Sequence, residues 1–190
     1  MSTPSESKLF TYGDYLTWPD EIRCEIIDGV IYDMTPAPST THQRLLGSLF
    51  NRFFTCLDGK TCEVFAAPFD VRLPKPNEKD METTTVVQPD IVVVCDPDKL
   101  DERGCKGAPD LIVEIISPST SRIDLKIKLF LYERVGVKEY WIVFPNEKVV
   151  QVYQLDDNGK YSQFEVFGAD DEVRVGIFED LTIRLHNVFK

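Results

Sequence analysis

Apolar residues recur along this chain with two different periods, and the switching between them lays out its elements. Over TTHQRLLGSLFNRFFTCLDG they fall at positions 45, 46, 49, 50, 53, 54 and 57, one stripe of an amphipathic helix. Thr40 or Thr41 would cap that helix and Gly59 would stop it. Two later runs, QPDIVVVC (88–95) and APDLIVEII (108–116), are β-branched and nearly continuous in apolar residues. Such runs suit strands covered on both faces. A helix over 121–135, closed by Gly136, and a buried strand EYWIVF (139–144) come next. Strand, helix, strand is a crossover unit, so the central sheet should be at least partly parallel.

The flanks are simpler. Thr11 can cap a short helix through about Trp18, ended by Pro19. CEIIDGVIYDM reads as a hairpin turning at Asp28-Gly29, a dipeptide that tolerates positive φ. CEVFAA and FDVRL read as short strands, VVQVYQL and KYSQFEVF as a second hairpin around DDNG, and DLTIRL as a last weak strand. Residues 74–85, polar and broken by prolines, are expected to form a mobile surface loop, and 101–109 a plain connection. The expected class is α/β (α+β): a central mixed sheet flanked by helices, with additional N- and C-terminal hairpins. A single domain over 1–190, with 1–10 flexible, accounts for the length.

Composition narrows the setting. Lys and Arg number 21 against 32 Asp and Glu, a net charge of −11 that argues against broad, nonspecific attraction to nucleic acid. Acidic residues far from a cleft lined by Lys and Arg would still permit such a partner. Cys24, Cys56, Cys62, Cys95 and Cys105 are scattered and never in a C-x-x-C arrangement, so they are expected as reduced thiols. No apolar run is long enough to span a bilayer and MSTPSESKLF lacks the layout of a secretory signal, which points to the cytoplasm.

Acids inside buried strands are costly unless something compensates them. Asp90 opens one such strand, and Glu114 sits in the middle of the other, on the face it shares with Ile112 and Ile116. Two carboxylates from adjacent strands suit a hard cation such as Mg²⁺; the bland alternative is an ordinary network with Arg or Lys. Asp110 has the same strand parity as Glu114 but lies four residues away and should not join it. On the following helix, Arg122, Lys126 and Glu133 form a solvent face. Lys128 falls instead with Asp124 in the arc of Leu131, Tyr132 and Val135, where it either covers apolar surface with its stem or meets a carboxylate. His42, on the apolar stripe of its helix, reads first as a satisfied core histidine. Glu25, alone between Cys24 and Ile26, says little by itself.

The strings CEIIDG, QPDIVVV, GAPDLIVEIISPSTSRIDLKIKLFLY and GVKEYWIVFP, with His42 opening a helix, resemble a bacterial nuclease family once catalogued as a domain of unknown function. That family belongs to the PD-(D/E)XK restriction-endonuclease-like superfamily. The resemblance covers about Thr11 to Tyr153 and is densest over 107–145. It implies that Asp90 and Glu114 are the motif's two acids. The motif's lysine would fall at Ile116, and the resemblance places it instead at Lys128, on the neighbouring helix. It further implies Mg²⁺, with Mn²⁺ as a substitute, held by Asp90, Glu114 and the Ile115 carbonyl. DNA is the implied partner, and Glu25 and His42 are further candidates in the site.

The reading that follows is a divalent-metal-dependent endonuclease acting on DNA phosphodiesters. A catalytically inactive nuclease-fold binding or assembly module is the alternative, favoured by the acidic charge and Ile116. A small-molecule phosphohydrolase is a third, lacking any Gly-rich phosphate loop. A homodimer would supply two sites for double-strand cleavage. Lys126, Arg122 and Arg44 are candidates for a local basic strip.

Overall fold

The computed structural model describes residues 8–19, 21–34, 37–117 and 123–190. In chain order it contains α1 (Tyr12–Tyr15), β1 (Cys24–Ile27), β2 (Val30–Asp33), α2 (Thr40–Leu57), β3 (Glu63–Ala66), β4 (Val71–Arg72), β5 (Val86–Val87) and β6 (Ile91–Val94). Then come β7 (Leu100–Asp101), β8 (Gly104–Lys106), β9 (Leu111–Ile115), α3 (Leu129–Val135), β10 (Glu139–Phe144), β11 (Val149–Gln154), β12 (Phe164–Phe167), β13 (Glu172–Arg174) and β14 (Thr182–Arg184).

The central sheet has the order β12-β11-β10-β9-β6-β3, and a second sheet has the order β2-β1-β5-β4-β8-β7. Only β9 and β10 run parallel in the central sheet, as the crossover pattern requires. Its two faces explain the unbroken apolar runs. Val93, Leu111, Val113 and Trp141 pack with Leu45, Leu49 and Phe53 of α2. Val92, Ile112 and Ile142 pack with Leu131 and Tyr132 of α3 and with Val71 and Val87 of the second sheet.

Several expectations are corrected. The first helix stops at Tyr15 rather than near Trp18, and Thr17 Oγ1 donates to the Asp14 carbonyl at 2.6 Å. A hydroxyl bonding back to the local backbone in this way competes with continued helix. α2 is capped by Ser39, not Thr40 or Thr41: Ser39 Oγ accepts from His42 N at 3.2 Å. Residues 74–85 are packed rather than a loose loop. Thr83 and Thr85 are buried, and the segment supplies Asp80 to the fully buried Arg72 guanidinium at 2.8 Å. The connection 101–109 carries β7 and β8, and β8 pairs in parallel with β4. Gly104 is required there, because a Cβ at its φ of +120° would collide with the Asp70 carbonyl.

Not all cysteines are reduced thiols: Cys62 and Cys95 form a disulfide. The β3–β6 register puts Glu63 opposite Val94, and one step further Cys62 faces Cys95, a proximity that spacing alone conceals. Cys24, Cys56 and Cys105 are free. DLTIRL contains β14, paired with β13, a strand absent from the sequence reading. The helix expected over 121–135 begins, among the described residues, with a π-helical stretch over Ile123–Lys128 that continues into α3; Ser121 and Arg122, like residues 1–7, lie outside the described residues. Among the described residues no helix is long and apolar enough to cross a membrane.

Candidate active site

Strands β6 and β9 are antiparallel with Ile91 opposite Val113, so one step further Asp90 stands across from Glu114. Residues directly opposed in an antiparallel pair point to the same side. Asp90 Oδ2 accepts the Ile115 amide at 2.7 Å and meets His42 Nε2 at 3.1 Å. Thus the first turn of α2, fixed by the Ser39 cap, delivers His42 to the strand acid. This corrects its reading as a satisfied core histidine: the Nδ1 atom is buried without a hydrogen-bond partner, and Nε2 serves the site.

Glu114 lies 5% exposed in β9, and its Oε1 accepts from Lys128 Nζ at 2.8 Å and from the Tyr132 hydroxyl at 3.1 Å. Lys128 also meets Glu25 Oε1 at 2.9 Å, and Asp124 Oδ1 stands 3.6 Å away, one turn back. Glu25 is held in place by the Gln88 amide, which donates to the same oxygen at 2.8 Å. The arc that places Lys128 and Asp124 inward therefore ends on carboxylates, not on apolar surface. Lys126 is exposed on the other side of the helix, and Arg44 is exposed on α2; Arg122 lies outside the described residues.

Among the described residues, Asp90, Glu114 and Glu25 gather around one lysine and one histidine, with Asp124 beside the lysine. Burial pushes the Glu114 carboxyl well above its ordinary range; Asp124, Asp90 and Glu25 add to the rise and Lys128 opposes it. For Lys128, burial disfavours the ammonium, but Glu114, Glu25 and Asp124 outweigh it and raise the pKa well above the ordinary lysine value. The ammonium is thus a fixed cation, and among the described residues Asp90, Glu114 and Glu25 outnumber it, an arrangement that a further cation would relieve.

Among the described residues no three His, Cys, Asp or Glu side chains are arranged to hold a metal ion. Mg²⁺ does not need such a cage, since it keeps several waters and takes one or two carboxylates. The hydrogen bonds of Asp90 all fall on Oδ2 and those of Glu114 all on Oε1, so Oδ1 and Oε2 accept none from the described residues. The donor set fits a hydrated hard cation on two carboxylates. Ile115, expected to offer its carbonyl, is seen to enter the site through its amide.

Glu25, His42, Asp90, Glu114 and Lys128 line one cleft of about 940 Å³. Ile116, at the position where the motif's lysine would fall, lines it too. Asp110 does not join them; it bonds Lys138 at 2.6 Å and the Cys95 amide at 2.7 Å. The sequence reading assigned nothing to Tyr132, which looks like ordinary helix core, nor a role to Asp124, although its place four residues before Lys128 in an apolar arc was the available signal.

The chain is similar to known proteins. A crystal structure of "a putative nuclease belonging to DUF820" from Anabaena variabilis has the same fold, with a TM-score of 0.74 over 95% of this chain and 97% of that one at 22% identity. The uncharacterized protein slr1290 of Synechocystis is 28% identical over 151 residues, which is 78% of this chain and 75% of that protein. The fold is restriction-endonuclease-like. The family model described as "Putative restriction endonuclease" matches residues 12–186, and the chain belongs to that family, Uma2.

Proposed function

We propose that the protein is a divalent-metal-dependent endonuclease that hydrolyses DNA phosphodiester bonds in this cleft. The observation that carries the reading is the opposition of Asp90 and Glu114 across β6 and β9, with the Lys128 ammonium 2.8 Å from Glu114. A hydrated divalent cation on Asp90 and Glu114 would supply a Lewis acid for the phosphate and a more acidic water.

The side chains do the rest. An ammonium has three N–H donors, and Glu114 and Glu25 take two of those on Lys128. The third can point at a phosphoryl oxygen as its charge grows, or hold the attacking water. Glu25 and Tyr132 position that machinery: Glu25 anchors the ammonium, and Tyr132 fixes the Glu114 oxygen on which it rests. His42 and the Ile115 amide hold Asp90 by one oxygen, leaving the other for the cation. Burial among α3, β1 and the central sheet limits water and strengthens each contact.

The test is cleavage of plasmid and single-stranded DNA with Mg²⁺ or Mn²⁺, with chelator, and with Asp90→Ala. Activity should require the cation and Asp90; cleavage that survives Asp90→Ala at full rate would sink the reading. Ile116 in the cleft and the ion pairs on Lys128 favour one competitor, a nuclease-fold binding module. It predicts DNA binding with no product at any metal concentration.

A further inference from the structure

Of the seven tyrosines, Tyr32 alone has neither a ring partner nor a hydroxyl hydrogen bond among the described residues. Tyr12 stacks on Tyr15, and the other five each hold a hydroxyl partner. Tyr32 is half-buried, lines the active-site cleft, and stands opposite Glu25 in the β1–β2 register. Directly opposed strand residues lie about 5 Å apart at Cβ, so its ring sits beside the carboxylate that anchors Lys128. The ring packs against the core cluster of Ile27 and Ile112 and also lines the cleft, and its hydroxyl makes no hydrogen bond among the described residues. An aromatic side chain so placed in the wall of a reaction cleft is a stacking platform for a base.

The rest of the wall agrees. Gln43 and Asn146 present side-chain amides that make no hydrogen bond among the described residues, and both are exposed in the cleft. Amides of this kind pair with base edges. Against them, Glu25, Asp33, Asp90 and Glu114 stand with Arg23 and Lys128 as the Lys or Arg among the described residues of the wall. A double helix carries one charge per ~1.7 Å and needs a basic track, which the described residues of this wall do not supply. At about 940 Å³ the cleft has the size of sites that enclose small molecules, roughly 300–1,000 Å³, enough to take in individual nucleotides.

Resting on the nuclease reading, we propose that the cleft receives an unpaired DNA strand, with one base stacked on Tyr32 beside the scissile phosphate, and that it does not admit an intact double helix. The experiment uses the full chain and an oligonucleotide carrying 2-aminopurine, single-stranded or annealed to its complement, in chelator and in Mg²⁺. Binding is read by anisotropy, stacking by fluorescence quenching, and cleavage separately on gels. The single strand should bind at least tenfold more tightly than the duplex and be quenched. Tyr32→Leu should lose the quenching and about tenfold in affinity, while Tyr32→Phe keeps both.

Equal or tighter binding of the duplex, quenching that survives Tyr32→Leu, or no binding of either form overturns the proposal. Quenched single strands that are never cut would sustain stacking and defeat the nuclease reading. Cut duplex with ignored single strands would do the reverse.

Discussion

Two buried cations organise this molecule, and they are neutralised in opposite ways. Arg72, fully buried in β4, bonds Asp80 at 2.8 Å and Asp101 at 2.6 Å, and its guanidinium lies 5.2 Å from the Tyr12 ring centre. Its partners are 30% and 48% exposed, so each carboxylate keeps contact with water while it reaches inward. Lys128 is nearly as buried, but Glu25, Glu114 and Asp124 are only 5–7% exposed in their side chains, and Asp90 lies close by. The first node is a cation whose counter-charges are half solvated; it ties the 74–85 segment to the second sheet. The second is, among the described residues, an excess of desolvated negative charge at the base of a cleft. Stability alone does not explain the second arrangement, because ion pairs buried on both sides cost more to desolvate than pairs whose carboxylates keep water. It makes sense as a place prepared for another cation.

The largest expected effect tests that contrast directly. Lys128→Ala removes the ammonium that three buried carboxylates meet, which should cost about 3–5 kcal/mol of stability in chelator. Mg²⁺ should restore much of it, since a cation present at a hundred times its dissociation constant contributes about 2.7 kcal/mol. Cleavage should stay about 10²- to 10³-fold down even when the fold is restored, the scale for losing a donor at the reacting oxygen. Thermal melts with and without Mg²⁺, beside single-turnover cleavage, check both parts. A melting point indifferent to Mg²⁺ would break the assignment of the excess charge to a metal.

Arg72→Met should cost less, about 1–2 kcal/mol, because Asp80 and Asp101 can turn to water once released. Mg²⁺ should not recover that loss, and cleavage at saturating DNA should follow the folded fraction. A Mg²⁺-dependent recovery in Arg72→Met equal to that in Lys128→Ala would erase the distinction between the two nodes.

The Lys128 node was legible in the sequence and the Arg72 node was not, for a physical reason. Glu114 announces itself because a carboxylate interrupts a continuous apolar strand, and Lys128 because it interrupts the apolar arc of a helix. Both are violations of a periodic pattern. Arg72 lies in a two-residue strand, too short to carry a period, and its partners come from segments that read as loops. The Cys62–Cys95 bond and the β4–β8 pairing were hidden similarly, since each depends on register between pieces distant in the chain. Tyr132 and Tyr32 break no pattern at all; only their partners, or the lack of them, set them apart.

The nodes should also respond to pH with opposite signs. Burial holds the folded Glu114 pKa well above its ordinary 4.5, so its stabilising contribution is full below that value and lost as pH rises through the folded pKa. Hydrogen bonding to Arg72 holds Asp101 below its ordinary 3.8, so its contribution is present above that value and lost as pH falls through the folded pKa. In chelator, Glu114→Gln should match the wild type in acid and gain on it as pH rises to neutrality. Asp101→Asn should match it in acid and fall modestly behind near neutrality, as its half-exposed partner implies. Melting points from pH 3 to 8 decide it, and curves of the same sign would show that burial and pairing do not separate the nodes.

The smallest effect is the control for Lys128. Lys126 lies two residues earlier, on the exposed side of the same helix, and is not part of the cleft wall. An exposed ammonium with no carboxylate to neutralise can contribute only by attracting phosphate at a distance, and salt screens that attraction. Lys126→Ala should therefore leave single-turnover cleavage at saturating DNA unchanged and weaken binding severalfold at most. The slope of log affinity against log salt should fall by about one if the lysine neutralises one phosphate. Measured beside Lys128→Ala at matched salt, this pair isolates the direction of a side chain from the presence of a positive charge on the helix. Equal loss of cleavage in the two variants would mean that the helix acts as a general basic element, and that the geometry around Glu114 is not what drives the reaction.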